Sequence, residues 1–241
     1  MIQGGNSMKK RLKIILITLL SLILVCTGAF FIYVSDYYRS DGVAAAAMKG
    51  EPSLRVQGNL TILEPSAPSE TALIFYPGAK VENTAYLPIL EKIKQSCGIT
   101  CILVKMPFNM AVFDANAADK VIGQFPKIKN WYIGGHSMGG AMASDYASKH
   151  QDKVKGLILM GAYLYGDYPA ENALTVYGTL NTSVAEKINY TANVVAIKGG
   201  NHAQFGNYGK QKGDPDAVIS SEEQQNSTVL AIKEFLAKRE H

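Results

Sequence analysis

Gly135, His136, Ser137, Met138 and Gly139 follow a short apolar run, Trp131-Tyr132-Ile133, and precede a helical stretch at 141–149. A serine between a buried strand and a helix sits on a sharp turn that lifts its hydroxyl clear of the sheet. Glycines two positions before and two after remove the side chains that would collide as the turn closes. A chain with this junction is committed to a strand–turn–helix unit, and so to layers of helix and sheet.

The rest of the chain agrees. Residues 53–63 carry Leu54, Val56, Leu60 and Ile62 around Gly58-Asn59, a hairpin pattern. From Ala72 on, compact apolar runs at 73–76, 101–105, 131–134, 156–160, 174–177 and 194–197 alternate with helical patterns at 83–96, 114–125, 141–149, 183–188 and 222–239. Asp114 is placed to cap the second of these helices, and Ser221 with Gln224 is spaced as a capping box for the last. Short buried strands alternating with helices predict an α/β fold with a mostly parallel central sheet flanked by helices. The step from Met160 to Leu174 leaves no room for a large lid, which predicts an open, shallow site.

The front of the chain is different. Residues 14–34 form an uncharged run of 21 residues, long enough to cross a bilayer core. Lys9, Lys10, Arg11 and Lys13 precede it, and Asp36, Arg39 and Asp41 follow. This bias predicts a signal anchor with residues 1–13 in the cytoplasm, a transmembrane helix at 14–34, a linker at 35–50 and a body from 51 to 241 outside the cytoplasm. Tyr33, Tyr37 and Tyr38 suit the outer interface. A cleaved signal peptide competes: the small residues at 44–47 offer a site, though about ten residues past the run. A buried core helix is the third reading. Met8 begins a typical basic opening, which leaves 1–7 without function.

The four early basic residues account for the net charge of +4, and the remainder is balanced at 20 basic and 20 acidic residues, so nothing points to nucleic acid. Cys26 lies in the apolar run. Cys97 and Cys101 either close a small disulfide loop or stay free and buried, the reading favoured here. No cysteine–histidine spacing marks a metal site.

Three stretches carry a resemblance: Phe75-Tyr76-Pro77-Gly78-Ala79-Lys80-Val81, Gly134-Gly135-His136-Ser137-Met138-Gly139-Gly140, and Gly199-Gly200-Asn201-His202-Ala203-Gln204-Phe205-Gly206. In this order, on this alternating pattern, the body resembles the α/β-hydrolase family, and particularly its small, lid-poor bacterial branch. The resemblance implies hydrolysis without metal or organic cofactor and gives no substrate.

Ser137 is then the expected nucleophile, a weak one until a neighbouring base takes its proton. His202 is the expected base, since it follows the last strand. His136 precedes the nucleophile and should point into the fold, His150 ends a helix, and His241 is terminal. The oxyanion hole is expected from the backbone N–H groups of Met138 and Ala79.

The third catalytic member departs from the family pattern. Where the resemblance implies an aspartate in a Gly-x-x-Asp turn, this chain has Gly178-Thr179-Leu180-Asn181. Asp167, in the loop after the preceding strand, is the first substitute. Asn181 as an uncharged orienter, Glu171, and Asp214 or Asp216 beyond the histidine are the others. Lys80, Phe108, Asn109 and Tyr163 follow strand ends on the same side and are candidate pocket residues. The loop at 203–217 is expected to fix the histidine or shape the entrance.

The expected activity is cleavage of an ester or related acyl bond in a small-molecule or lipid-like substrate, with the membrane as partner through the N-terminal helix. The competing readings are a catalytically silent binding protein on the same scaffold, motivated by Asn181, and an acyltransferase.

Overall fold

A computed structural model describes residues 4–50 and 54–239. The expected start of the body at Glu51 and the terminal His241 fall outside them. The chain divides into two compact units, Met1–Asp36 and Tyr37–His241.

The first unit is one helix, α1 (Gly4–Ser35). Its stretch Met8–Ser35 is long and apolar enough to cross a membrane.

The second unit runs α2 (Gly42–Gly50), β1 (Leu54–Gln57), β2 (Leu60–Leu63), β3 (Thr71–Tyr76), α3 (Leu87–Cys97), β4 (Thr100–Val104), α4 (Ala117–Ile122), β5 (Asn130–His136), α5 (Met138–Lys149), β6 (Gly156–Met160), β7 (Ala173–Gly178), α6 (Thr182–Ala185), β8 (Val194–Ile197) and α7 (Ser221–Ala237). One sheet joins the strands in the order β1-β2-β4-β3-β5-β6-β7-β8. β1 and β2 form the predicted antiparallel hairpin, β2 runs antiparallel to β4, and the pairs from β4 to β8 are parallel.

Parallel strands covered on both faces need apolar residues at successive positions, and β3 shows it. Leu73 and Phe75 face one core with Ile89 and Ile93 of α3 and Ile232 and Phe235 of α7. Ala72, Ile74 and Tyr76 face the other with Val121 of α4 and Ala143 and Ala147 of α5. The sheet thus carries its side chains in two layers and ends its parallel strands at one edge, where ligands bind in such folds.

Three local expectations need correction. Asp114 does not cap α4: it closes a short 3-10 turn at 111–113, its carboxylate pairs with Lys120 at 3.0 Å, and α4 starts after Asn116. The capping box of α7 is one residue earlier, Ser220 with Glu223, which frees Gln224 for another task. The segment 35–50 is not a free linker, because from Tyr37 on it belongs to the second unit. Tyr38 donates its N–H to the Lys80 carbonyl (2.7 Å), accepts from the Glu82 N–H (2.8 Å), and receives the Lys212 N–H on its hydroxyl (2.9 Å). Ala44 in α2 is fully buried. This strap is held by backbone hydrogen bonds, to which side-chain patterns are blind.

No disulfide joins Cys97 and Cys101, and burial pushes the Cys101 thiol far above its usual range.

Candidate active site

Ser137 sits between β5 and α5 with φ 55° and ψ −124°, a strained conformation for a residue with a side chain. Its N–H donates to the Met160 carbonyl and its own carbonyl accepts from Ala141, both at 3.0 Å. A Cβ at Gly135 would fall 2.5 Å from the Tyr76 carbonyl, and one at Gly139 would strike the carbonyls of Tyr76 and Pro77. The flanking glycines therefore let the elbow press against the end of β3. That contact brings the Pro77–Ala79 turn to the start of α5.

Within that turn the donors separate. The Gly78 N–H goes to the Tyr86 hydroxyl (3.1 Å) and the Lys80 N–H to the Asn109 carbonyl (2.8 Å). The Ala79 N–H has no protein partner among the described residues. Met138 is the first residue of α5, where helical N–H groups lack an acceptor within the helix. Ala79 and Met138 thus present two open donors, of which Met138 lines the same cavity as Ser137.

His202 lies beyond β8, and its ring lines a cavity of about 700 Å³ together with Ser137, Met138, Asn181 and Tyr163. Its Nδ1 is 2.7 Å from Nδ2 of Asn181, which follows β7 and is buried. In this orientation the amide donates, Nδ1 accepts, and the ring proton sits on Nε2. With the amide reversed, Oδ1 accepts a proton on Nδ1 instead. The Ser183 hydroxyl, 3.0 Å from the Asn181 Oδ1, satisfies either orientation because it can donate or accept.

Asp167 does not reach this ring. It is exposed, lies outside the cavity lining, and its carbonyl accepts from Gln151 (3.0 Å). The nearby carboxylate is that of Asp214, which holds the backbone of the histidine loop. Its two oxygens accept the N–H groups of His202 (3.1 Å) and Ala203 (2.8 Å). Burial pulls the His202 pKa below the usual imidazole value, and the Asp214 charge opposes this. Asp216 pairs with Lys210, and the Glu171 carbonyl receives Arg239. Of the other pocket candidates, Lys80, Phe108 and Asn109 lie outside the lining.

Several supporting residues escaped sequence reasoning. His136 is fully buried, as expected, but it also has a task. Its Nε2 is 2.9 Å from the His202 carbonyl, which can only accept, so Nε2 carries the proton. Nδ1 then accepts from the Tyr86 hydroxyl at 2.8 Å. A continuous chain runs from the Gly78 N–H through Tyr86 and His136 to the His202 backbone. Burial holds His136 neutral, far below the usual imidazole value. Gly78 is obligatory here, since a Cβ would meet both the His136 ring and the Tyr86 hydroxyl at 2.8 Å. Gln224 of α7 clamps Asn201 from both sides, accepting its N–H (3.0 Å) and donating to its carbonyl (2.9 Å).

The alpha/beta hydrolase family profile matches residues 72–226. A comparison with curated proteins found no sequence match. Among solved structures, the fold is similar to carboxyl esterase 2 from the mycorrhizal fungus Tuber melanosporum (TM-score 0.53, 11% identity, 76% of this chain and 82% of that one). It is similar also to Est1E from Butyrivibrio proteoclasticus (0.53, 15%, 76% and 98%). A third likeness is to a hormone-sensitive lipase from a metagenome library (0.54, 11%, 82% and 92%). At such identities the likeness is one of fold. The profile covers most of the chain and spans both Ser137 and His202, and the chain belongs to the alpha/beta hydrolase family.

Proposed function

We propose that this protein is a serine hydrolase that cleaves an ester or related acyl bond through an acyl-enzyme on Ser137. The observation that carries the reading is the convergence on one cavity of a strained, half-buried serine and a half-buried histidine held at both backbone and ring. Ser137 Oγ attacks the acyl carbonyl while His202 Nε2 takes its proton. The N–H groups of Ala79 and Met138 receive the negative charge on the carbonyl oxygen; such donors are each worth on the order of a hundredfold in rate. The alcohol leaves with the proton from His202. A water then attacks the acyl-enzyme and gives its proton to the same nitrogen, which returns it to Ser137 Oγ as the acid is released.

The first step needs a free lone pair on Nε2, hence a proton on Nδ1 and Oδ1 of Asn181 facing the ring. The opposite amide orientation favours a second reading, a weak or silent enzyme. In a serine triad the aspartate-to-asparagine change costs about 10⁴ in rate through the wrong tautomer.

In this proposal Met8–Ser35 anchors the chain in a membrane with its lysines in the cytoplasm and the hydrolase unit outside.

The test uses the full chain in non-ionic detergent with a fluorophosphonate probe and p-nitrophenyl butyrate. Labelling and turnover that both vanish in Ser137→Ala establish the hydrolase. Labelling without turnover points to a selective hydrolase. Absence of both, with activity appearing in Asn181→Asp, identifies a disarmed enzyme.

A further inference from the structure

We infer that the cavity takes an ester bearing an anionic group, a carboxylate or phosphate, which Lys187 and Lys212 receive away from the scissile bond. The inference rests on the hydrolase reading of the same site.

Both lysines line the cavity and come from separate segments, one just past α6 and one from the loop after His202. The charges around them do not cancel them. In the loop, Asp216 is taken by Lys210 at 2.7 Å. Asp214 is the one acid in the cavity lining, and its two oxygens are occupied by the N–H groups of His202 and Ala203. Neither Lys187 nor Lys212 has a carboxylate partner among the described residues. The wall therefore carries two uncommitted positive charges.

The backbone of Lys212 is also fixed in place. Its N–H is bound by the Tyr38 hydroxyl (2.9 Å), and the preceding Gln211 accepts from the Tyr208 hydroxyl (3.1 Å). Tyr38 belongs to the strap that also pairs with the Lys80–Glu82 turn, so the lysine's backbone is tied to the oxyanion side of the site. Both lysines are exposed, whereas Ser137 and His202 are partly buried, so a cation there meets the part of the substrate that lies nearer solvent. An ammonium is a point-charge donor suited to a carboxylate or phosphate without demanding one geometry.

The test compares matched esters with the full chain in non-ionic detergent. For an anion on the acyl side, the pair is 4-nitrophenyl hemisuccinate and 4-nitrophenyl butyrate. For an anion on the alcohol side, it is butyrylglycerol phosphate and monobutyrin. The expected result is a preference of about tenfold in kcat/KM for the anionic member of one pair. That preference disappears in Lys187→Ala/Lys212→Ala, inverts in Lys187→Glu/Lys212→Glu, and shrinks in high salt. Equal rates within both pairs, or a preference that survives the double alanine change, overturns the inference and leaves the hydrolase intact. If no ester is turned over by any variant and the fluorophosphonate probe does not label Ser137, the hydrolase reading falls; in either case without turnover, calorimetric titration with succinate and inorganic phosphate decides the rest. Binding lost in the double variant upholds the cationic subsite; absence of binding to the wild type overturns it.

Discussion

Asn181 Nδ2 stands 2.7 Å from His202 Nδ1, so an uncharged amide occupies the place where a carboxylate would fix and stabilise the imidazolium. Asn181→Asp keeps the size of the side chain, forces the proton onto Nδ1, and supplies a negative charge. Its kcat should rise by a factor on the order of 10², within the roughly 10⁴ that the reverse change costs a serine triad. Steady-state turnover of p-nitrophenyl butyrate reads this directly, and an unchanged or lower kcat would show that His202 does not act through that tautomer.

The same pair sets a pH dependence. The base works neutral, and burial holds His202 below its usual value of 6.5. The kcat/KM of the wild type should therefore rise along an acid limb centred below pH 6.5 and be flat above it. In Asn181→Asp the new carboxylate favours the charged ring, so the limb moves to higher pH.

Stability should follow pH in the same direction. His136 is neutral in the fold and titrates near 6.5 only when unfolded. Below that pH the unfolded chain binds a proton that the folded chain refuses, so stability falls by about 1.4 kcal/mol per pH unit for this residue. Urea midpoints at several pH values between 7 and 5 measure the slope, and His136→Gln should flatten it.

Tyr86→Phe removes one hydroxyl that serves two buried groups, the Gly78 N–H and the His136 Nδ1. Leaving them unpaired should cost about 1–3 kcal/mol. Because the hydroxyl links the oxyanion turn to the histidine loop, kcat should fall more than KM rises. A purely structural role would lower the melting temperature and leave kcat intact.

Gly161→Ala tests a residue that no motif announces. Gly161 has φ +53°, and a Cβ there would stand 3.0 Å from His202 Nδ1, in the space beside the Asn181 contact. Displacement of a catalytic ring by about 1 Å costs on the order of a hundredfold. The variant should lose activity far in excess of its loss of stability.

The legible part of this molecule is the part written in local patterns. Phe75, Ile102, Ile133 and Ile158 lie in runs whose continuity marks buried parallel strands, and the glycines around Ser137 mark the elbow. Asn181 was visible as a departure at the right place in the turn after β7. A requirement for full negative charge points instead to Asp167, a surface residue outside the cavity lining. What stayed hidden depends on contacts between distant segments. Gln224 reads as a helix cap until its two bonds to Asn201 are seen. Tyr38 reads as an interfacial aromatic until its backbone is found paired with Lys80 and Glu82. Neither residue has a periodicity or a neighbour in sequence that would betray its partner.

The strap at Tyr38 also limits how this protein can be processed. A protease that severed the chain among the alanines at 44–47 would release the hydrolase unit without Tyr38. The Lys80–Glu82 turn would then lose two backbone partners and Lys212 its support. A cut before Tyr37 spares all three. Loss of the apolar helix and survival of the site are therefore separated by a window of a few residues, and any shortened form that keeps these contacts carries Tyr38 at its front.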